Sequence, residues 1–111
     1  MVPDPLLATR ALLLHDLAAR EVVDVDVLTL VEDVVEGRRW WIEAWDGGAD
    51  VVAGQLAQDL QERLLDDHGI RWPECPLHPG THELRVEPDL GPDPAWVCED
   101  AGEELGPLGT L

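Results

Sequence analysis

Apolar positions fall into blocks along this chain, and the spacing within each block predicts a different element. Between Leu6 and Arg20 the spacing is helical, with Leu7, Ala11, Leu14 and Ala18 on one stripe and Leu6, Leu13 and Leu17 beside it. Asp4 followed by Pro5 supplies an N-cap and a proline at the first helical position. A first helix is therefore expected over 6–20, with His15 and Asp16 toward its polar side. Val22 to Trp45 fits two periods. Val27, Leu30, Val31, Val34 and Val35 suit a helix. The β-branched density, the alternation through Val23-Asp24-Val25-Asp26-Val27, and Gly37-Arg38 between two apolar runs suit a hairpin. Glycine at the first central position of a type II′ turn decides for the hairpin.

Asp46-Gly47-Gly48 breaks the pattern, and Asp50 is placed to cap a second helix over 51–68. Its inner stripe is Val52, Leu56, Leu60 and Leu64. Gln55, Gln58, Asp59, Glu62 and Arg63 face water, with Asp59 and Arg63 paired at i,i+4. Gly69 is the expected C′ residue. After Trp72 the pattern shortens to strands. Glu83–Glu87 and Ala95–Glu99 alternate, and the loop between them has proline at both ends. With Glu87 opposite Ala95, Val86 faces Trp96 and Leu84 faces Cys98, so His82, Leu84, Val86, Trp96 and Cys98 share one face. The fold class expected is α+β in one domain, residues 1–111: a helix–β-hairpin–helix body over 1–70 and a C-terminal β-hairpin lobe over 71–111.

The lobe holds both cysteines of the chain. Cys75, His78, His82 and Cys98 stand as C-x2-H-x3-H-x15-C. Two thiolates and two imidazoles are the donor set of a tetrahedral zinc site. The shared strand face makes His82 and Cys98 diagonal neighbours, and Cys75-Pro76-Leu77-His78 forms the knuckle. The same residues also fit a Cys75–Cys98 disulfide, or two separate thiols with His78 and His82 in loops. The start of the sequence has neither the positive n-region nor the h-region of a secretory signal. A cytoplasmic chain keeps its thiols reduced, which favours zinc over the disulfide.

Charge narrows the function classes. Against 24 acidic residues stand 7 basic ones, giving −17, and no histidine or metal site reverses that sign. Such a surface repels phosphate backbones, so direct nucleic-acid binding is not expected. No apolar run approaches a membrane span.

The segments W-P-E-C-P-L-H-P-G-T-H-E-L and A-W-V-C, with the ending L-G-P-L-G-T-L, resemble a group of small, acidic, uncharacterised bacterial proteins. Their C-terminal signature is W-P-x-C-P-x-H, a second His, W-x-C and a short tail. The resemblance covers about the last 40 residues. It implies a zinc-ribbon-like lobe on a small α+β domain, and it implies no activity. Cys98 is followed by Glu99-Asp100-Ala101, without the second cysteine of a standard ribbon.

No G-x-S-x-G, H-E-x-x-H or P-loop is present, nor the H-x-E and P-C-x-x-C of zinc deaminases. No small-molecule substrate is evident. The reading is a small non-catalytic zinc-binding protein, an interaction or adaptor module. The alternatives are an acidic mimic of nucleic acid that occupies a basic groove, and a metal-dependent enzyme with an open site. The hairpin over 22–45 would carry apolar residues on both faces, so Trp41 and Trp45 are the expected interface for a homodimer or a protein partner. The tail 105–111 is expected to return over the metal lobe.

Overall fold

The computed structural model describes residues 6–44 and 48–111. Three helices, α1 (Leu6–Ala19), α2 (Val25–Ala44) and α3 (Gly48–His68), precede strands β1 (Arg85–Glu87), β2 (Ala95–Cys98) and β3 (Glu103–Pro107). The strands form one antiparallel sheet in the order β1-β2-β3. The fold is α+β. Among the described residues no helix is long and apolar enough to cross a membrane.

The first helix has the expected length but a rotated inner face. Leu6, Thr9, Leu13, Asp16 and Leu17 are buried, whereas Leu7 faces solvent. Asp16 thus lies on the core side and not the polar side; its oxygens are satisfied there by donors from the far end of the chain. The Asp4-Pro5 cap lies outside the described residues. A Schellman turn ends α1: Glu21 is left-handed (φ 57), its N–H returns to Ala18 O at 3.0 Å, and the Val22 N–H returns to Leu17 O at 2.9 Å.

The expected hairpin over 22–45 is instead α2. Asp24 caps it, its Oδ1 accepting the Val27 N–H at 2.9 Å. As strands, this segment would place Val31 and Val35 on one face and Leu30 and Val34 on the other. As a helix it buries Val27, Leu30, Val31, Val34 and Val35 together. Each buried side chain contributes about 1.5–3 kcal/mol, against a helix-propensity cost of at most about 0.7 kcal/mol per valine. The single-face arrangement wins, and Gly37 sits inside a helix with open space around it. The two-faced sheet from which self-association was argued is therefore absent.

The inner stripe of α3, Val52, Leu56, Leu60 and Leu64, is buried as expected. Asp59 does not pair with Arg63. It accepts from Arg38 Nε and Nη2 across the α2–α3 contact, at 2.6 and 3.0 Å, while Arg63 pairs with Asp67. Gly69 (φ 66) ends the helix. Gly54 lets the loop after β1 touch α3: a Cβ there would lie 2.3 Å from Pro88 O. The Gly91 N–H completes that contact by donating to Val51 O at 3.1 Å.

The lobe keeps the expected register, with Val86 opposite Trp96 and Glu87 opposite Ala95. Beyond it, β3 adds a third strand with a bulge at Trp96/Val97. One continuous core joins the body to the lobe, running from Leu6 through Trp72, Leu84, Val86 and Trp96 to Leu108.

Candidate metal centre

Two backbone ladders bring the four ligand residues together. Cys75 lies beside His82 because the Cys75 N–H donates to His82 O at 3.0 Å and the Leu84 N–H donates to Pro73 O at 2.7 Å. Cys98 ends β2, on the same face as Trp96. Between Cys75 and His82 the chain turns tightly. The His78 N–H returns to Cys75 O at 3.3 Å, the Thr81 hydroxyl donates to His78 O at 2.6 Å, and Gly80 takes a left-handed conformation (φ 77) suited to glycine.

The donor atoms of Cys75, His78, His82 and Cys98 all lie within 4.8 Å of one another and could hold a metal ion. His78 Nδ1 is 3.7 Å from Cys75 Sγ, 3.5 Å from Cys98 Sγ and 3.2 Å from His82 Nε2; His82 Nε2 is 3.9 Å from Cys98 Sγ. A tetrahedron with metal–S of about 2.3 Å and metal–N of about 2.05 Å has edges of about 3.6 Å between S and N and about 3.3 Å between N and N. These four of the six edges match to within roughly 0.3 Å. His82 Nδ1 sits 2.9 Å from Glu83 O, so that nitrogen carries the proton and leaves Nε2 free to ligate.

Both sulfurs are buried, and no disulfide joins them. The imidazoles are half-buried, with Asp100 Oδ2 3.5 Å from His82 Nε2 at the open side. Burial pushes the Cys98 thiol up from its ordinary value of 9.0. The Ala101 N–H opposes that rise, the neighbouring Cys75 sulfur reinforces it, and the Asp100 N–H again opposes it. The missing second cysteine of a standard ribbon is made up by two imidazoles, His78 and His82 completing the donor set with Cys75 and Cys98. A cation accepting both thiolates would remove the cost of burying them.

The expected interface divides. Trp41 packs against the core, with the Arg38 guanidinium 4.2 Å from its ring centre and Trp40 edge-on at 5.7 Å. Trp45 lies outside the described residues. Trp40, 61% exposed, is the accessible indole of the pair. The tail does return onto the lobe, where residues 105–107 belong to β3 beside β2 and the Leu108 N–H donates to Pro94 O at 3.0 Å. Its last residues go on to α1, the Gly109 and Leu111 N–H groups donating to the Asp16 carboxylate.

Sequence reasoning missed two residues that hold the lobe. Gln61 on α3 donates to Trp72 O at 3.1 Å and Leu84 O at 2.7 Å, one carbonyl on each ligand-bearing segment. Asp16 accepts the indole N–H of Trp96 at 2.7 Å. Its only signal was a carboxylate inside an apolar helix.

No curated protein and no solved structure matches the chain. The family described as Domain of unknown function (DUF8819) matches residues 2–108, well beyond the C-terminal signature, and the chain belongs to that family.

Proposed function

We propose that this protein is a zinc-binding, non-catalytic interaction module whose metal holds the C-terminal lobe in shape. The observation that carries the reading is the convergence of the Cys75, His78, His82 and Cys98 donor atoms, four of whose separations are close to tetrahedral edges, with His82 Nδ1 held against the Glu83 carbonyl so that Nε2 faces the cluster. Two thiolates and two imidazoles suit Zn²⁺, and four protein ligands leave no position for a reacting water or substrate. A reducing, cytoplasmic setting keeps both thiols available to the metal. Two thiolates also cancel the charge of one Zn²⁺, so the bound protein stays strongly acidic.

The partner is a protein or a second copy of the chain, docked over Trp40 and Trp41. An exposed indole beside a guanidinium-stacked one is the composition of an interface anchor. Ionic strength separates the two partners. Self-association at −17 per protomer strengthens as salt screens repulsion, whereas binding to a basic protein weakens. Light scattering at low and high salt reads this directly.

Elemental analysis of protein purified under reducing, chelator-free conditions tests the metal. One zinc per chain is expected, and Cys98→Ser is expected to lose it while α1 to α3 remain helical. Protein with no bound transition metal that also takes up none on titration would end the reading.

A further inference from the structure

We propose that Asp16 is the positioning residue of the metal centre and also the clasp of the C-terminal tail, so that metal affinity and tail docking are one linked equilibrium. The proposal rests on the metal-binding reading above.

Asp16 has no exposed side-chain surface. Each of its oxygens meets two nitrogens. Oδ2 accepts the Trp96 indole N–H at 2.7 Å and the Gly109 N–H at 2.7 Å. Oδ1 accepts the Leu111 N–H at 3.0 Å and lies 3.1 Å from His15 Nδ1. No arginine is among these partners. A carboxylate is kept dry in this way only when its lone pairs are filled by fixed donors. The main chain of the same residue takes part as well: the Trp72 indole donates to Asp16 O at 3.4 Å.

The two indoles lead to the two sulfurs. Trp72 and Trp96 pack edge to face, 5.2 Å apart at 82°. Trp72 is three residues before Cys75 and Trp96 is two before Cys98. Strand alternation puts Trp96 and Cys98 on one face of β2, two residues apart, so a displacement of the strand at Trp96 is shared by the backbone that carries Cys98. Fixing Trp96 therefore fixes the strand end that presents Cys98 to His78 and His82. The tail enters the same grip from the other side. Gly109 (φ 90) lies so close to α1 that a Cβ on it would be 2.2 Å from Leu12 Cδ2. Metal on Cys98 and amides on Asp16 order the same group of atoms, and coupling of this kind acts in both directions.

The test compares wild-type protein with Asp16→Asn, Trp96→Phe, the double variant and Gly109→Ala. Zinc affinity is measured by competition with a chromophoric chelator, ligand geometry by the visible spectrum of the cobalt(II) form, and tail docking by hydrogen exchange at residues 109 and 111. Asp16→Asn keeps the size of the side chain but turns one acceptor into a donor. It is expected to weaken zinc about tenfold, as loss of a ligand-orienting partner does, and to alter the cobalt spectrum. In the Trp96→Phe background the same change is expected to cost less than about threefold, because the route to Cys98 is already cut. Gly109→Ala leaves the lobe and Asp16 intact but unseats the tail, and is expected to weaken zinc several-fold. In the wild-type protein zinc should raise exchange protection at 109 and 111. Asp16→Asn and Gly109→Ala proteins that are folded and bind zinc within about twofold of wild type would overturn the proposal and leave the metal reading standing. A wild-type chain that takes up no metal would overturn both.

Discussion

Gly37 and Gly54 both lie inside helices, and the same substitution is expected to act on them with opposite sign. A glycine inside a helix costs about 0.8–1.0 kcal/mol relative to alanine, from backbone entropy alone. At Gly37 nothing lies within 4 Å of the added Cβ, so Gly37→Ala should gain about that amount. At Gly54 the new Cβ would be 2.3 Å from Pro88 O, 3.0 Å from Asp89 O and 3.2 Å from the Asp89 carbonyl carbon. Those atoms are backbone and cannot rotate aside. The loop must lift off α3, weakening the bond from the Gly91 N–H to Val51 O. Forcing an extra carbon into a packed contact costs about 1–3 kcal/mol, and the lost loop contact adds about 1 kcal/mol. The propensity gain offsets only part of this, so Gly54→Ala should be destabilised by a net ~1–3 kcal/mol. Urea unfolding of wild type and both variants measures this, under one metal condition because a ligand that binds only the folded state raises every stability. At this chain length 1 kcal/mol corresponds to about 4 °C in Tm. Gly37→Ala losing more than 1 kcal/mol would show a positive φ at that residue, the hairpin turn and not the helix. Gly54→Ala gaining stability would refute the approach of the loop to α3.

Gln61→Met removes both side-chain donors while keeping volume, leaving the carbonyls of Trp72 and Leu84 short of a partner; a loss of about 1–3 kcal/mol is expected, and unfolding within 0.5 kcal/mol of wild type would refute it. The raised Cys98 thiol gives the metal-free protein a pH dependence of definite sign. A folded thiol holds its proton where the unfolded one, near 9.0, has lost it, so stability falls as pH rises past about 9. With metal bound the sulfur is already deprotonated and that alkaline loss should disappear; equal alkaline slopes with and without zinc would contradict this.

Much of the lobe was legible in the sequence because its logic is local. The C-x2-H-x3-H spacing makes one turn, the prolines at both ends of the loop delimit two strands, and setting Glu87 opposite Ala95 across that loop puts Val86 opposite Trp96. The helix α3 was legible for the same reason, since four apolar residues at a spacing of four allow one inner face. The segment 22–44 misled because valine suits strands by intrinsic preference, and the burial that overrides it comes from α1 and α3. β3 carried no signal, because Glu103-Glu104-Leu105-Gly106-Pro107 has little strand character and is held by pairing with β2. Asp16 was placed on the wrong face because its donors stand 80 to 95 positions away, beyond any periodicity.

That separation matters while the protein is being made. Synthesis runs at about 5–20 residues per second, so α1 exists for roughly 4–16 s before Trp96 has been added. Through that interval the inner face of α1 carries a carboxylate with neither its indole nor its amides. The helix can pair with α2 and α3 only by keeping the Asp16 end wet, which leaves the place of the lobe open. Burying that carboxylate before its donors arrive would leave a charge unpaired in an apolar stripe, so the dry packing of this end of α1 belongs to the completed chain.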